Sequence, residues 1–266
     1  MSSFRTVELS NPKYECDGLR FLTIKSANLG GRGDICVFVP QVERNNSGLP
    51  INILLHGVYG SAWSWAMQGG AHHTARKLME NGEIKPTILA MPSDGLWGDG
   101  SGYITHHAKR FDEWIVHDVP LAIRENIPQA RQSSSLAIGG LSMGGYGALM
   151  LGARFPEKFC AISGHSSITR LEQMQLFVGE PWEDLKDQEG FDDVIEAMKT
   201  NRSKLPAIRF DCGTSDELIE PNRILHQELT ELKIHHTYEE FAGGHEWPYW
   251  QKHVVKTLRF FDRDGH

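Results

Sequence analysis

The feature that most constrains this chain is a serine between two glycines, placed where an apolar run gives way to a helical pattern. The segment G-L-S-M-G at residues 140–144 follows a predicted strand over residues 136–139 and opens a predicted helix over residues 144–154. A sharp strand-to-helix turn leaves no room for side chains on either side of Ser142, which explains the glycines. Ser142 then lies at a helix N-terminus, where free N–H groups and the helix dipole favour negative charge. This context predicts a nucleophilic serine.

The rest of the chain alternates short apolar runs with helical patterns. Strands are predicted over residues 19–25, 35–39, 51–55, 87–91, 136–139, 159–163, 207–212 and 236–241. Helices are predicted over residues 71–80, 111–126, 144–154, 222–232 and 247–261. This alternation implies an α/β fold with a mostly parallel central sheet and helices on both faces. The 266 residues, 40 % of them hydrophobic, are enough for a large core, and we expect one domain over residues 1–266.

One segment breaks the alternation. Residues 168–201 are long and polar and lie between two predicted strands. A connection of this length is unusual in a compact domain. We interpret it either as a cap or lid inserted into the domain or as an ordinary helical excursion on the surface, since loops at the C-terminal edge of a sheet often carry function.

Charge and composition exclude several classes of function. Lys and Arg number 27 against 34 Asp and Glu, which gives a net charge of −7. A nucleic-acid partner is not expected, because phosphate contacts need a basic face. The sequence has neither a transmembrane-length apolar stretch nor a secretory signal pattern, so we expect no membrane span and a cytoplasmic location. The four cysteines lack C-x-x-C spacing and fit free thiols, mostly buried: Cys16, Cys36, Cys160 and Cys212.

A serine hydroxyl is a weak nucleophile and needs a general base. In sheets that carry this serine turn, the catalytic groups follow in the order serine, acid, histidine, with the histidine in the loop before the final helix. Among the 13 histidines, His245 fits, because it follows the strand at residues 236–241 and precedes an amphipathic helix. His253 is the later competitor, but it lies inside that helix.

The acid is expected in the turn after the preceding strand, where it would hold the imidazole tautomer and stabilise the imidazolium. Asp216 occupies that turn, which follows the strand at residues 207–212. Asp211 and Glu217 are rivals, but Asp211 would lie within the strand and Glu217 could point to solvent.

An oxyanion hole needs two backbone N–H groups. One is expected from the residue after the nucleophile, Met143, and the other from the loop after an early strand. Val58 is the candidate there, because it follows the strand at residues 51–55. His56, just before Gly57, is interpreted as a residue that organises this loop.

These residues together resemble the "putative esterase" family of α/β-hydrolases. The similarity runs from about residue 35 to residue 261. It rests on L-L-H-G at 54–57, G-L-S-M-G-G-Y-G-A-L at 140–149, C-G-T-S-D at 212–216 and G-H-E-W-P-Y-W at 244–250. The last segment is quite specific, because it extends past the histidine into a W-P-Y-W run. Tributyrin-type esterases, S-formylglutathione hydrolases, feruloyl and acetylxylan esterases and mycolyltransferases belong to this family. The chain departs from many relatives at residues 93–103, which form a longer, glycine-rich loop.

The resemblance implies an α/β-hydrolase fold with Ser142, Asp216 and His245 as the triad and Val58 and Met143 as oxyanion donors. It implies a serine carboxylesterase that forms an acyl-enzyme on short-chain esters, such as acetyl or feruloyl esters of carbohydrates. The substrate would be a small molecule or an oligosaccharide, and neither a cofactor nor a metal is expected. An acyltransferase and an S-formylglutathione-hydrolase-like thioesterase are alternatives that use the same triad. A non-catalytic binding module is a third, which the intact triad residues disfavour.

Tryptophans near the predicted C-terminal edge of the sheet are candidates for lining an acyl or sugar pocket, with simple loop packing as the alternative: Trp63, Trp65, Trp97, Trp182 and Trp247.

Three pairs of adjacent histidines suggest a metal site: His72-His73, His106-His107 and His235-His236. None of them forms an H-E-x-x-H or C-x-x-C set, and adjacent side chains on a helix or strand point apart. We therefore interpret these pairs as structural or surface histidines.

Overall fold

The computed structural model describes residues 3–42, 48–185 and 193–264, without the side chains of Trp182, Asp184 and Asp264. The strands in these ranges are β1 (Val7–Leu9), β2 (Leu19–Ser26), β3 (Gly31–Phe38), β4 (Ile51–Leu55), β5 (Ile88–Pro92), β6 (Thr105–His106), β7 (Lys109–Arg110), β8 (Leu136–Leu141), β9 (Ala161–His165), β10 (Ala207–Gly213) and β11 (Thr237–Phe241). The α-helices are α1 (Ser64–Met67), α2 (Ala71–Glu80), α3 (Phe111–Glu113), α4 (Val119–Asn126), α5 (Met143–Arg154), α6 (Val194–Thr200), α7 (Ile219–Glu231) and α8 (Trp247–Asp264).

Nine of these strands form one sheet in the order β1-β2-β3-β5-β4-β8-β9-β10-β11. In this order the first four strands, β1, β2, β3 and β5, pair antiparallel. All pairs from β5 onward, through β4, β8, β9 and β10 to β11, are parallel, so the predicted, mostly parallel sheet is confirmed. β4 and β8 are buried at every position, as expected of central strands with continuous apolar runs. Parallel pairing brings the C-terminal ends of β4, β8, β10 and β11 to one edge, where their following loops meet.

Apolar layers cover both faces of the sheet, as the alternation of side chains along β4 illustrates. Ile51, Ile53 and Leu55 belong to the larger cluster, to which α4, α5, α6 and α7 contribute. Leu54 belongs to the second cluster, which contains residues of α1, α2 and α8. Because successive strand residues point to opposite faces, a continuous apolar run is what such a two-sided core requires.

The predicted helix over residues 111–126 is divided into three parts. Between α3 and α4 lies a π-helical turn (Trp114–Asp118), and Pro120 is the second residue of α4. Proline has no N–H to donate and clashes within a regular helix, so the wider turn before it accommodates the ring. Trp114 in this turn is fully buried and donates its indole N–H to the carbonyl oxygen of Ser93 at 2.8 Å.

Other differences from the predicted elements concern boundaries and short pieces. β3 begins at Gly31 rather than at residue 35, and β9 lies two residues beyond the predicted strand at 159–163. β1, α1 and the β6–β7 hairpin are too short to give a periodic pattern. Within 168–201 the structure contains 3₁₀ helices at Leu171–Leu176 and Trp182–Leu185, followed by α6, while residues 186–192 lie outside the described part. In the described ranges, no helix combines the length and the apolar character needed to cross a membrane.

Candidate active site

Ser142 lies at the junction of β8 and α5 in a backbone conformation that few side chains adopt, with φ +55° and ψ −122°. A Cβ on Gly140 would lie 2.9 Å from the carbonyl oxygen of Leu55, and a Cβ on Gly144 would lie 2.6 Å from the carbonyl carbon of the same residue. The Ser142 N–H donates to the carbonyl oxygen of His165 at 2.9 Å. The two glycines therefore let β8 and α5 approach the end of β4, and this approach holds the serine in its unusual conformation.

The structure brings Ser142 together with His245 and Asp216. His245 Nε2 is 2.9 Å from Ser142 Oγ, and its Nδ1 is 3.0 Å from both carboxylate oxygens of Asp216. A carboxylate can only accept, so Nδ1 carries the ring proton and Nε2 is free to accept the serine hydroxyl proton. Asp216 follows β10 and His245 follows β11. Three separate loops at one sheet edge thus supply the three groups.

The surroundings of Asp216 keep it ionised. Burial raises the pKa of this carboxyl. This effect is outweighed by the hydrogen bond and charge of His245, the backbone N–H of Leu218 and the Ser166 hydroxyl, so the net shift of the pKa is downward. The Leu218 N–H donates to Asp216 Oδ1 at 2.8 Å. An ionised acceptor fixed in this way orients the imidazole and can stabilise it once it is protonated.

Two aromatic rings fix the imidazole of His245. Phe177 stacks on it with ring centroids 4.8 Å apart and an interplanar angle of 19°. Trp250 meets it edge to face at 5.0 Å and donates its indole N–H to Ser166 Oγ at 3.2 Å. The Phe177 carbonyl oxygen also accepts the Tyr59 hydroxyl at 2.7 Å, so residues 171–185 are tied to the loop after β4.

Val58, in the loop after β4, lines the same cavity as Ser142. Among the described residues, neither the Val58 N–H nor the Met143 N–H has a hydrogen-bond acceptor, and Met143 is the first residue of α5. His56 is buried: its Nδ1 lies 2.7 Å from the Gly57 carbonyl oxygen, and its Nε2 accepts the Asp94 N–H at 3.1 Å. Both ring nitrogens are thus occupied in holding the loop, which agrees with the organising role expected for His56.

A cavity of about 670 Å³ opens over Ser142 and His245. Its aromatic walls are Tyr59, Trp63, Phe177, Trp247 and Trp250. Of the other candidate tryptophans, Trp65 is buried in the core, with its indole N–H on the Leu55 carbonyl oxygen. Trp97 packs against His106 and His107 instead of lining this cavity. The side chain of Trp182 lies outside the described part of the structure.

A buried polar cluster beneath the site escaped the sequence analysis. Asp211 is fully buried: its Oδ1 accepts the Tyr249 hydroxyl at 2.7 Å and lies 3.1 Å from His165 Nδ1, and its Oδ2 forms an ion pair with Arg209 Nη1 at 2.6 Å. Burial raises the pKa of this carboxyl, but the charges of His165 and Arg209 lower it more, and its pKa lies well below the ordinary value. Asp211 is therefore committed to pairing inside the sheet, as its place within β10 suggested, while Glu217 is exposed. The signal that could have revealed the cluster is an R-x-D pattern in an otherwise apolar strand.

The expectation that adjacent histidines point apart is wrong for two of the three pairs. The ring centroids of His72 and His73 are 3.9 Å apart, although the residues are neighbours on α2. His106 and His107 approach to 3.0 Å between their Nδ1 atoms. Rotation about χ1 and χ2 can bring neighbouring rings together even where their Cβ atoms diverge.

Comparisons with known proteins give a family for this chain. The sequence profile of the family described as "Putative esterase" matches residues 26–261. An acetyl esterase from Caldicellulosiruptor saccharolyticus is 27 % identical over 242 residues, which are 84 % of this chain and 87 % of that protein. An endo-1,4-beta-xylanase/feruloyl esterase from Xylanibacter ruminicola is 29 % identical over 228 residues, 79 % of this chain but only 31 % of that longer protein.

A solved structure of a ferulic acid esterase superposes with a TM-score of 0.79 at 22 % identity, covering 98 % of this chain and 99 % of that one. At this identity the likeness concerns the fold. It shows that the sheet described above is that of an α/β-hydrolase.

Proposed function

This chain belongs to the "Putative esterase" family, and we propose that it hydrolyses carboxylic esters through an acyl-enzyme formed on Ser142. The observation that carries the proposal is the continuous line of hydrogen bonds from Asp216 through His245 to Ser142, beside an open cavity. The strained conformation of Ser142 supports it further, because backbone strain clusters at functional sites.

In the first half of the reaction, Ser142 Oγ attacks the ester carbonyl carbon while His245 Nε2 takes the hydroxyl proton. Asp216 keeps the proton of His245 on Nδ1 and stabilises the imidazolium. The carbonyl oxygen becomes an oxyanion, to which the N–H groups of Val58 and Met143 donate. Each such donor is expected to stabilise the transition state by about 3 kcal/mol.

In the second half, the tetrahedral intermediate collapses and His245 gives its proton to the leaving alkoxide, which departs as the alcohol. His245 then takes a proton from water, which attacks the acyl-enzyme in the same oxyanion hole. The second tetrahedral intermediate then breaks its bond to Ser142 Oγ, to which His245 returns the proton, and the carboxylic acid leaves. Besides the groups of this chain and the ester, these steps use only water.

The substrate class we propose is short acyl esters of carbohydrates or other small alcohols, with acetyl and feruloyl groups as the first acyl groups to test. The names of the acetyl esterase and feruloyl esterase relatives support this choice. The cavity supports it as well, since flat aromatic side chains such as Trp63 and Trp247 provide surfaces on which a sugar or an aromatic acyl group can stack. Residues 168–185, the described first part of the segment 168–201, would act as a cap, because Phe177 within them already closes one side of the cavity.

The test is hydrolysis of p-nitrophenyl esters from acetate to octanoate, followed by acetylated and feruloylated sugars. Wild-type activity that favours short chains and collapses in Ser142→Ala and His245→Ala variants is the expected result. Adding an alcohol acceptor and looking for a transfer product separates hydrolysis from acyl transfer. A correctly folded wild-type protein that cleaves none of these esters would overturn the proposal.

A further inference from the structure

We propose that Asp17, His72 and His73 form a binding site for a divalent first-row transition-metal ion of the Zn²⁺ type. None of the three residues lines the cavity beside Ser142. Asp17 lies in the turn that leads into β2, and the two histidines lie in the first turn of α2. A bound ion would therefore join two elements that are far apart in the chain.

The three side chains already converge. One potential ligand atom of each residue lies within 4.8 Å of the corresponding atom of the other two. Zn²⁺ bonds of about 2.0–2.2 Å in a tetrahedral arrangement place two ligand atoms about 3.4 Å apart, so the set needs a shift of up to about 1.4 Å. Asp17 and His73 are exposed and can make that adjustment.

His72 supplies an independent reason for a ligand. Its side chain is only 3 % exposed, and Nδ1 is buried with no hydrogen-bond partner in the described part of the chain. A buried polar atom without a partner is rare and unfavourable, and ligation would satisfy it.

Arg76 is the charge that opposes a cation here. Its Nη1 is 3.5 Å from Asp17 Oδ1, and its Nη2 donates to the Asp17 carbonyl oxygen. A carboxylate has about four acceptor positions, so this single long ion pair leaves capacity for a metal. Glu80 lines the adjoining cavity with Asp17 and Arg76, so the acidic groups outnumber the arginine. Two imidazoles and one carboxylate suit Zn²⁺, Co²⁺ or Ni²⁺ rather than Mg²⁺ or Ca²⁺.

The experiment uses the full chain after treatment with a chelator. Zn²⁺ is titrated by calorimetry, and Co²⁺ by its visible absorption, which reports the ligand field. Asp17→Asn and His73→Ala are the test variants, because both side chains are exposed and their replacement leaves the core intact. His235→Ala is the matched control, since His235 is an exposed member of another histidine pair.

One ion per chain is expected for the wild-type protein and for His235→Ala. Each test variant should bind Zn²⁺ at least about tenfold more weakly than the wild type. Replacing a residue that only hydrogen-bonds to a metal ligand already costs about tenfold in affinity, and a ligand itself should cost no less. Thermal unfolding should shift upward with Zn²⁺ in the wild type and much less in the variants. Absence of saturable binding would overturn the proposal. Binding that persists in both test variants would also overturn it. Binding that is lost in His245→Ala would do the same, because it would place the ion at Asp216, Glu217 and His245, another cluster of potential ligands.

Discussion

Gly144→Ala is the substitution whose effect follows most directly from the geometry of the serine turn. A Cβ at this position would lie 2.6 Å from the carbonyl carbon of Leu55, whereas ordinary contact begins at 3.4 Å. The carbonyl oxygens of Leu55 and His56 would lie nearer still, so the end of β4 and the start of α5 must separate by more than about 0.8 Å, the difference between these two distances. Leu55 leads directly into the loop that carries Val58, so the shift moves one proposed oxyanion donor away from Ser142.

The expected loss of activity comes from this displacement. A misplacement of about 1 Å in a catalytic arrangement can cost about a hundredfold in rate, so we expect kcat/KM for a p-nitrophenyl ester to fall by about 10- to 100-fold. Most of the fall should appear in kcat, because an oxyanion donor acts mainly in the transition state.

Gly31→Ala is the matched control, because a Cβ on Gly31 meets only the Leu29 carbonyl oxygen at 3.8 Å. Its kcat/KM should equal that of the wild type. Circular dichroism and thermal unfolding establish whether both variants are folded at the assay temperature. A folded Gly144→Ala variant with wild-type kcat/KM would refute the argument that close packing at this glycine positions the oxyanion loop.

Three other predictions concern the site and its support. Asp216→Asn should keep the fold but lower kcat by about 10⁴-fold, because an amide can favour the wrong imidazole tautomer; a kcat within tenfold of wild type would count against the proposed role. Phe177→Ala should lower kcat and raise KM because the imidazole loses its stacking partner, whereas Phe177→Leu should retain more activity; steady-state kinetics that do not distinguish the two would contradict this. Asp211 has a folded pKa below the ordinary value of 3.8, so the stability it contributes is present above about pH 4 and is lost as the pH falls through the folded pKa. Asp211→Asn should therefore flatten the fall in urea-measured stability below pH 4, and an unchanged slope would show that other groups cause it.

The sequence predicted those parts of the fold that depend on local pattern. Strands such as β4 and helices such as α2 have the bounds that their apolar runs and periodicity indicate. The mostly parallel sheet followed from their alternation. The serine turn could be located because a sharp strand-to-helix turn needs glycines. The loops with Asp216 and His245 could be located because each follows one of the later strands of the sheet.

Features that depend on distant contacts could not be predicted in this way. Arg209, Asp211 and Tyr249 meet inside the fold, yet no local pattern indicates that Tyr249 reaches across from α8 to β10. The stacking of Phe177 on His245 joins residues 68 positions apart, and the polar segment around Phe177 has no periodicity that would place it. The π-helical turn before Pro120 arises from a conflict between the proline and an otherwise regular helical pattern.

The most direct test of the central claim is covalent labelling of the full chain with a fluorophosphonate, followed by intact-protein and peptide mass spectrometry. We predict a single adduct on the wild-type protein, mapped to Ser142, and no adduct on Ser142→Ala. His245→Ala should label far more slowly, because Ser142 then lacks its base. An adduct on another serine, or equal labelling of Ser142→Ala, would contradict the account.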